Sequence, residues 1–157
     1  MPAPRVLILG VGNILLSDEG LGVRAVDYLR EHAALPAHIR LLDGGTLGIR
    51  LMPVLTDCDM LLILDAVLGG AEPGSLYRLE GEDLRRSLSF RDSMHQTDLA
   101  DTLLMCELAG HRPETVVLGL EPADITTLND ALTPVIRERL PMLAEATLTE
   151  LRQRNLV

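Results

Sequence analysis

Two short, continuous apolar runs that end in glycine or aspartate constrain the fold most strongly. Residues 6–10 read Val-Leu-Ile-Leu-Gly, and residues 60–65 read Met-Leu-Leu-Ile-Leu-Asp. An unbroken apolar run of this length is typical of a strand that is buried on both faces of a parallel sheet. Between the two runs, apolar side chains repeat at helical spacing, which predicts a helix over residues 20–33 with Asp18 as its N-cap.

The remaining pattern extends this alternation of strands and helices along the chain. Further strands are predicted over residues 39–43, 76–79 and 115–120, and further helices over residues 47–55, over residues 94–110 and from Pro134 onward. The weakly alternating strand at 76–79 suits an antiparallel sheet edge. Strands that are separated by helices require right-handed crossovers. We therefore expect an α/β fold: a single three-layer domain over residues 1–157, with a mostly parallel, five-stranded twisted sheet and helices on both faces.

Composition excludes several classes of function. The chain has 14 basic and 23 acidic residues, a net charge of −9, and only two tyrosines and one phenylalanine as aromatic residues, so nucleic acid is not an expected partner. Every basic residue is an arginine, which removes enzymes that depend on a phosphate-binding, Schiff-base or general-base lysine. No apolar run reaches the length of a membrane span, and two cysteines without a CxxC pair suit a reducing compartment. We expect a cytoplasmic protein with no membrane partner.

Polar residues follow the first three predicted strands, where open α/β sheets bind ligands. Residues 10–13 and 18–20 come after the first strand, residues 43–46 after the second, and Asp65 ends the third. A strand followed by Gly-x-Gly also suggests a nucleotide-binding α/β protein. The third glycine of that fingerprint is missing, however, because Leu15 stands in its place, and the acidic residues at the helix entry would repel a pyrophosphate.

A metal site is the alternative interpretation of this polar edge. Glu19, Asp65 and His95 would supply two carboxylates and an imidazole from separate elements, which leaves coordination positions open. Each residue also has an ordinary structural interpretation: Glu19 as an acid at a helix start, Asp65 as a turn former, and His95 as a solvated residue in a first helical turn. No activated nucleophile is visible, since there is no Gly-x-Ser-x-Gly motif and Cys106 lies among apolar helix positions.

Four separated motifs stand out along the chain. They are Gly10-Val11-Gly12-Asn13 with Asp18-Glu19-Gly20 and Gly22, then Asp43-Gly44-Gly45-Thr46-Leu47-Gly48, then Asp65-Ala66-Val67, and finally His95-Gln96. Taken together, these motifs resemble those of the maturation endopeptidases of nickel–iron hydrogenases. The resemblance covers nearly the whole chain. It implies a single-domain α/β protease that removes a short C-terminal peptide from the hydrogenase large-subunit precursor after nickel has been inserted.

The same resemblance implies roles for individual residues. It places Glu19, Asp65 and His95 at the metal-binding, catalytic positions. Substrate recognition falls to the loop of Asp43, Gly44, Gly45 and Thr46, and the site loop includes Gly12, Asn13 and Asp18.

The metal itself is expected to arrive with the substrate. Nickel held by precursor cysteines could accept oxygen and nitrogen ligands from the protease, while other divalent cations could occupy the free site. The metal would then be a recognition signal, a Lewis acid on the scissile carbonyl, or an activator of water, and the residues do not choose between these roles. A non-catalytic nickel-binding maturation chaperone with the same ligands is the competing hypothesis.

Overall fold

A five-stranded sheet organises the computed structural model of the chain, which describes residues 2–90 and 99–157. The strands are β1 (Val6–Val11), β2 (Ile39–Gly45), β3 (Met60–Ala66), β4 (Leu76–Leu79) and β5 (Glu114–Leu120). Their spatial order is β2-β1-β3-β5-β4. All neighbours pair in parallel except β4, which lies antiparallel to β5 at the edge.

Helices cover both faces of this sheet. They are α1 (Leu21–His32), α2 (Met52–Leu55), α3 (Leu99–Leu108) and α4 (Pro134–Gln153). Short 3₁₀ turns occupy Ser17–Gly20, Gly48–Leu51, Gly81–Arg86 and Leu88–Phe90. The buried side chains of α1 and α4 pack on one face, and those of α2 and α3 pack on the other. The predicted three-layer α/β fold is confirmed.

The two apolar runs form the centre of the sheet, as predicted. Every residue of β1 and β3 is buried, and their side chains alternate between the two core layers. Ile8 and Leu62 face α1 and α4, whereas Leu9 and Ile63 face the opposite layer. Because neither face of these strands meets water, their sequences show no alternation of apolar and polar residues.

Most predicted boundaries agree with the structure to within two residues. The antiparallel edge strand is confirmed, as is the start of the last helix at Pro134. The predicted helix at 94–110 is confirmed over Leu99–Leu108, followed by Gly110 at a φ of 107°. Its predicted start, with the capping residues Ser93 and Gln96, lies outside the described residues. Within residues 2–90 and 99–157, no helix is both long enough and apolar enough to cross a bilayer.

Candidate functional site

Asp65 lies near the carboxyl end of β3, and its side chain is fully buried. Its Oδ1 accepts a hydrogen bond from the Ala66 N–H at 2.8 Å, and its Oδ2 accepts one from the Ser89 N–H at 2.9 Å. The hydroxyl of Ser87 donates a third hydrogen bond, to Oδ2. Burial raises the pKa of Asp65 to about 6, although these hydrogen bonds act in the opposite direction. Asp65 is therefore a buried carboxylate that is held by backbone and side-chain donors from two separate segments.

Ser87 is a residue of this site that the sequence motifs do not indicate. It lies between the two 3₁₀ turns that follow β4, and it is fully buried. Its backbone pairs with Val67 in an antiparallel bridge just beyond β3. A serine 22 residues after its partner leaves no local pattern, so only the fold could reveal this contact.

Glu19 lies in the 3₁₀ turn Ser17–Gly20, which precedes α1 and contacts β3. Two glycines permit this close approach. A β-carbon on Gly22 would lie 2.7 Å from the Val11 carbonyl oxygen and would overlap the carbonyl of Leu64. Gly12 has a φ of 121°, and a β-carbon there would overlap the carbonyl of Glu19. The turn that carries Glu19 is therefore packed against the carboxyl ends of β1 and β3, on the edge where Asp65 lies.

Asp18 does not cap α1, and that prediction is wrong. The N-cap of α1 is Gly20, which makes no side-chain capping bond. The Asp18 carboxylate is fully buried and binds the segment after β5 instead. Its Oδ2 accepts hydrogen bonds from the N–H groups of Ala123 at 2.9 Å and Asp124 at 3.1 Å and from the Thr133 hydroxyl at 2.8 Å. Its Oδ1 accepts the Thr133 N–H at 2.8 Å, so Asp18 anchors the site loop.

The carboxyl end of β2, together with Thr46, forms one wall of a cleft beside the turn Ser17–Gly20. Asp43 accepts a hydrogen bond from the Gly45 N–H at 2.9 Å, and the Gly12 N–H donates to the Gly45 carbonyl at 2.8 Å. The cleft has a volume of about 290 Å³ and is lined by residues 12–15, Val23, Asp43, Gly45 and Thr46. The structure thus brings the predicted recognition loop and the predicted site loop together.

Large apolar side chains are exposed around this cleft. Ile14 and Leu15 line it, with 36% and 54% of their surface exposed. Leu47 follows directly after the recognition loop and is 46% exposed, and Leu128 is 80% exposed. Leu128 is adjacent to Asn129, whose N–H donates to the Leu15 carbonyl at 2.9 Å. Solvent-exposed apolar side chains that cluster at one edge are typical of a surface that contacts another protein.

His95, the third predicted ligand, lies outside the described residues. Across the described ranges, 2–90 and 99–157, no three histidine, cysteine, aspartate or glutamate side chains come together as a metal site. The predicted ligand set therefore stays a prediction.

Glu121 is a second residue that the sequence motifs do not indicate. It follows β5 and is nearly buried. Its Oε1 accepts hydrogen bonds from the N–H groups of Gly69 and Ala71 and from the Tyr77 hydroxyl, at 2.8–3.0 Å. It therefore holds the loop that leaves β3 a few residues beyond Asp65.

Comparison with known proteins identifies the family. The family model described as HycI, hydrogenase maturation protease, matches residues 23–150. The hydrogenase expression/formation protein HupD of Thiocapsa roseopersicina is 37% identical over 156 residues, which are 98% of this chain and 71% of that protein. The hydrogenase 2 maturation protease of Escherichia coli K12 is 36% identical over 151 residues, which are 95% and 92% of the two chains. The structure of the hydrogenase maturating endopeptidase HybD from E. coli superposes with a TM-score of 0.86 at 35% identity, covering 96% of this chain and 93% of that one. The chain belongs to the hydrogenase maturation protease family.

Proposed function

We propose that this protein is an endopeptidase that removes a short C-terminal peptide from the nickel-loaded precursor of a nickel–iron hydrogenase large subunit. The observation that carries the proposal is the buried carboxylate of Asp65 at the carboxyl end of the central strand β3, on the edge where the Glu19 turn packs. Burial of a carboxylate is costly even when it is hydrogen-bonded, so a buried carboxylate at the ligand-binding edge of the sheet supports a functional role. Membership of the protease family makes hydrolysis of a precursor the function that best accounts for it.

The chemistry of the donor set fits a divalent metal. Glu19, Asp65 and His95 would hold it through carboxylate oxygens and an imidazole nitrogen, a set without thiolates that suits a borderline cation such as nickel. The Ala66 N–H donates to Oδ1 of Asp65, whereas the Ser87 hydroxyl and the Ser89 N–H both donate to Oδ2. When bound, the metal would polarise a carbonyl or lower the pKa of a water molecule.

The chain itself supplies the binding surface for the substrate. We assign Asp43, Gly44, Gly45 and Thr46 to recognition of the precursor tail, because this loop walls the cleft and the Asp43 side chain is exposed to solvent. The exposed Ile14, Leu15, Leu47 and Leu128 support a protein substrate, since apolar side chains around a cleft are stabilised when a partner covers them.

The decisive experiment incubates the protein with a nickel-loaded large-subunit precursor and weighs the products by mass spectrometry. Release of one discrete C-terminal peptide supports the protease, whereas stable binding without cleavage would support the non-catalytic chaperone. Glu19→Gln, Asp65→Asn and His95→Ala are each expected to abolish the release. The matched control is Asp83→Asn, which alters an exposed carboxylate in the 3₁₀ turn Gly81–Arg86.

Nickel is proposed to arrive with the precursor. Three protein ligands without a thiolate form a modest nickel site, so the isolated protein should purify largely free of nickel. A nickel-free precursor mixed with nickel-free protein should therefore remain uncut. Rapid cleavage in that mixture would refute the role of the metal as a signal and leave the protease assignment intact.

A further inference from the structure

The buried Ser87 hydroxyl donates a hydrogen bond to Oδ2 of Asp65, the carboxylate at the end of β3. We propose that Ser87 is a positioning residue: together with the Ser89 N–H it occupies Oδ2, and so presents Oδ1 of Asp65 to the metal. The inference rests on the proposed function, because it takes Asp65 as a metal ligand. Ligating carboxylates in metal sites are commonly oriented by such outer hydrogen bonds.

The backbone of Ser87 is held firmly in place, so its hydroxyl is oriented before any metal binds. Its N–H donates to the Leu84 carbonyl at 3.0 Å, and its own carbonyl accepts the Phe90 N–H at 3.0 Å. Leu84 and Phe90 are both buried on the face of the sheet that α3 covers. The bridge to Val67 fixes the same residue against the chain leaving β3. A donor on such a support costs little to orient when the site is used.

The hydrogen bonds also show which oxygen of Asp65 is available. A carboxylate offers about four lone-pair sites. Ser87 and the Ser89 N–H take two on Oδ2, and the Ala66 N–H takes one on Oδ1. The Ser89 side chain also hydrogen-bonds this carboxylate. Because two of the donors described here face Oδ2 and one faces Oδ1, Oδ1 is the oxygen expected to bind the metal. Removal of the Ser87 hydroxyl would take away one of the donors to Oδ2 and weaken the orientation of the carboxylate.

The fold does not depend on this hydroxyl. The segment that carries Ser87 is tied to the chain after β3 by the Leu68 N–H, which donates to the Arg86 carbonyl at 3.0 Å. The buried Leu84 and Phe90 anchor it from within. Because backbone and apolar contacts hold the segment, Ser87→Ala should fold.

The test is a titration of the isolated protein with Ni²⁺ alone by calorimetry, together with melting of the metal-free protein. Ser87→Ala is expected to bind Ni²⁺ roughly 10–100-fold more weakly than the wild type. The matched control is Thr147→Val, which removes another fully buried hydroxyl. That hydroxyl donates at 2.9 Å within α4, on the opposite face of the sheet. Thr147→Val should leave Ni²⁺ affinity unchanged, and the two variants should melt at similar temperatures.

The remaining outcomes separate this inference from the proposed function. Wild-type affinity in Ser87→Ala, with binding abolished in Asp65→Asn, would overturn the positioning role and leave the metal site intact. A metal-free Ser87→Ala protein that melts far below Thr147→Val would show a structural role and likewise overturn the inference. Unchanged Ni²⁺ binding in Asp65→Asn would overturn the metal site and the positioning role together.

Discussion

The substitution Asp18→Asn tests whether Asp18 is an anchor of the fold. The Asp18 carboxylate is fully buried and accepts hydrogen bonds from Ala123, Asp124 and both polar groups of Thr133. An asparagine has one amide oxygen and one amide NH₂ group in place of two acceptors. In either orientation, the NH₂ group would face at least one of these donors, so a buried donor would lose its acceptor.

The expected cost follows from these contacts. An unsatisfied buried donor costs about 1–3 kcal/mol, and hydrogen bonds to a charged group are about twice as strong as neutral ones. The variant loses one hydrogen bond, and its other hydrogen bonds lose a charged acceptor. Together these losses should lower the free energy of unfolding by about 3–5 kcal/mol. In a chain of this size, that corresponds to a fall in melting temperature of roughly 6–20 °C.

Calorimetric melting of metal-free protein at neutral pH measures this effect. Asp83→Asn is the control, because it makes the same chemical change at an exposed position and should shift the melting temperature by no more than about 2 °C. Thr133→Val removes only the hydroxyl partner and should cost about 1 kcal/mol. An Asp18→Asn protein that melts within about 2 °C of the wild type would refute the anchoring role.

Three further substitutions or treatments test other parts of the molecule. Asp43→Asn should slow or misdirect cleavage of the nickel-loaded precursor while Ni²⁺ binding to the isolated chain stays unchanged, and loss of that binding would place Asp43 among the ligands. Glu150→Gln should lower the free energy of unfolding by about 1–3 kcal/mol at pH 7, because Glu150 binds Arg78 and Arg154. Folding lowers the pKa of Glu150, so its stabilisation is present above the unfolded-state pKa and is lost as the pH falls through the folded-state value. Urea unfolding at pH 7 and pH 3 should therefore show a smaller deficit at pH 3, and equal deficits would contradict this reasoning. Thiol reagents should leave processing unchanged, because Cys106 is buried and burial raises its pKa, whereas inactivation by alkylation of Cys106 alone in folded protein would argue against the proposed chemistry.

The sheet was predictable because its signals are local. A strand buried on both faces needs consecutive apolar residues, and 60–66 satisfies this requirement without reference to any other part of the chain. The antiparallel edge strand at 76–79 was predictable for the same reason, since it is half exposed and alternates. The capping role of Asp18 failed because a polar residue before a helix has several possible partners. Here Thr133 outcompetes the helix terminus.

The support of the site was not predictable because it depends on distant partners. Asp65 lies at the end of β3 and most of the recognition loop lies at the end of β2, so strand ends indicate them. Ser87 reaches Asp65 across 22 residues, and Glu121 reaches Gly69 across 52. Neither contact has a spacing that a helix or strand period would produce, so these positions emerge only when the fold is known.

The hydrogen bonds to Asp18 make a turn in the N-terminal half of the chain depend on residues in its C-terminal third. The turn that carries Glu19 is secured by donors 105, 106 and 115 residues away. During synthesis, β1, α1, β2 and β3 can emerge and pair well before those donors exist, whereas this turn must wait until Thr133 has been added. Contacts between such distant residues form late, because the chain between them must be ordered first. The edge that bears Glu19 and Asp65 therefore cannot be completed before Thr133 is present, and a chain interrupted before residue 133 would lack this support for the Glu19 turn.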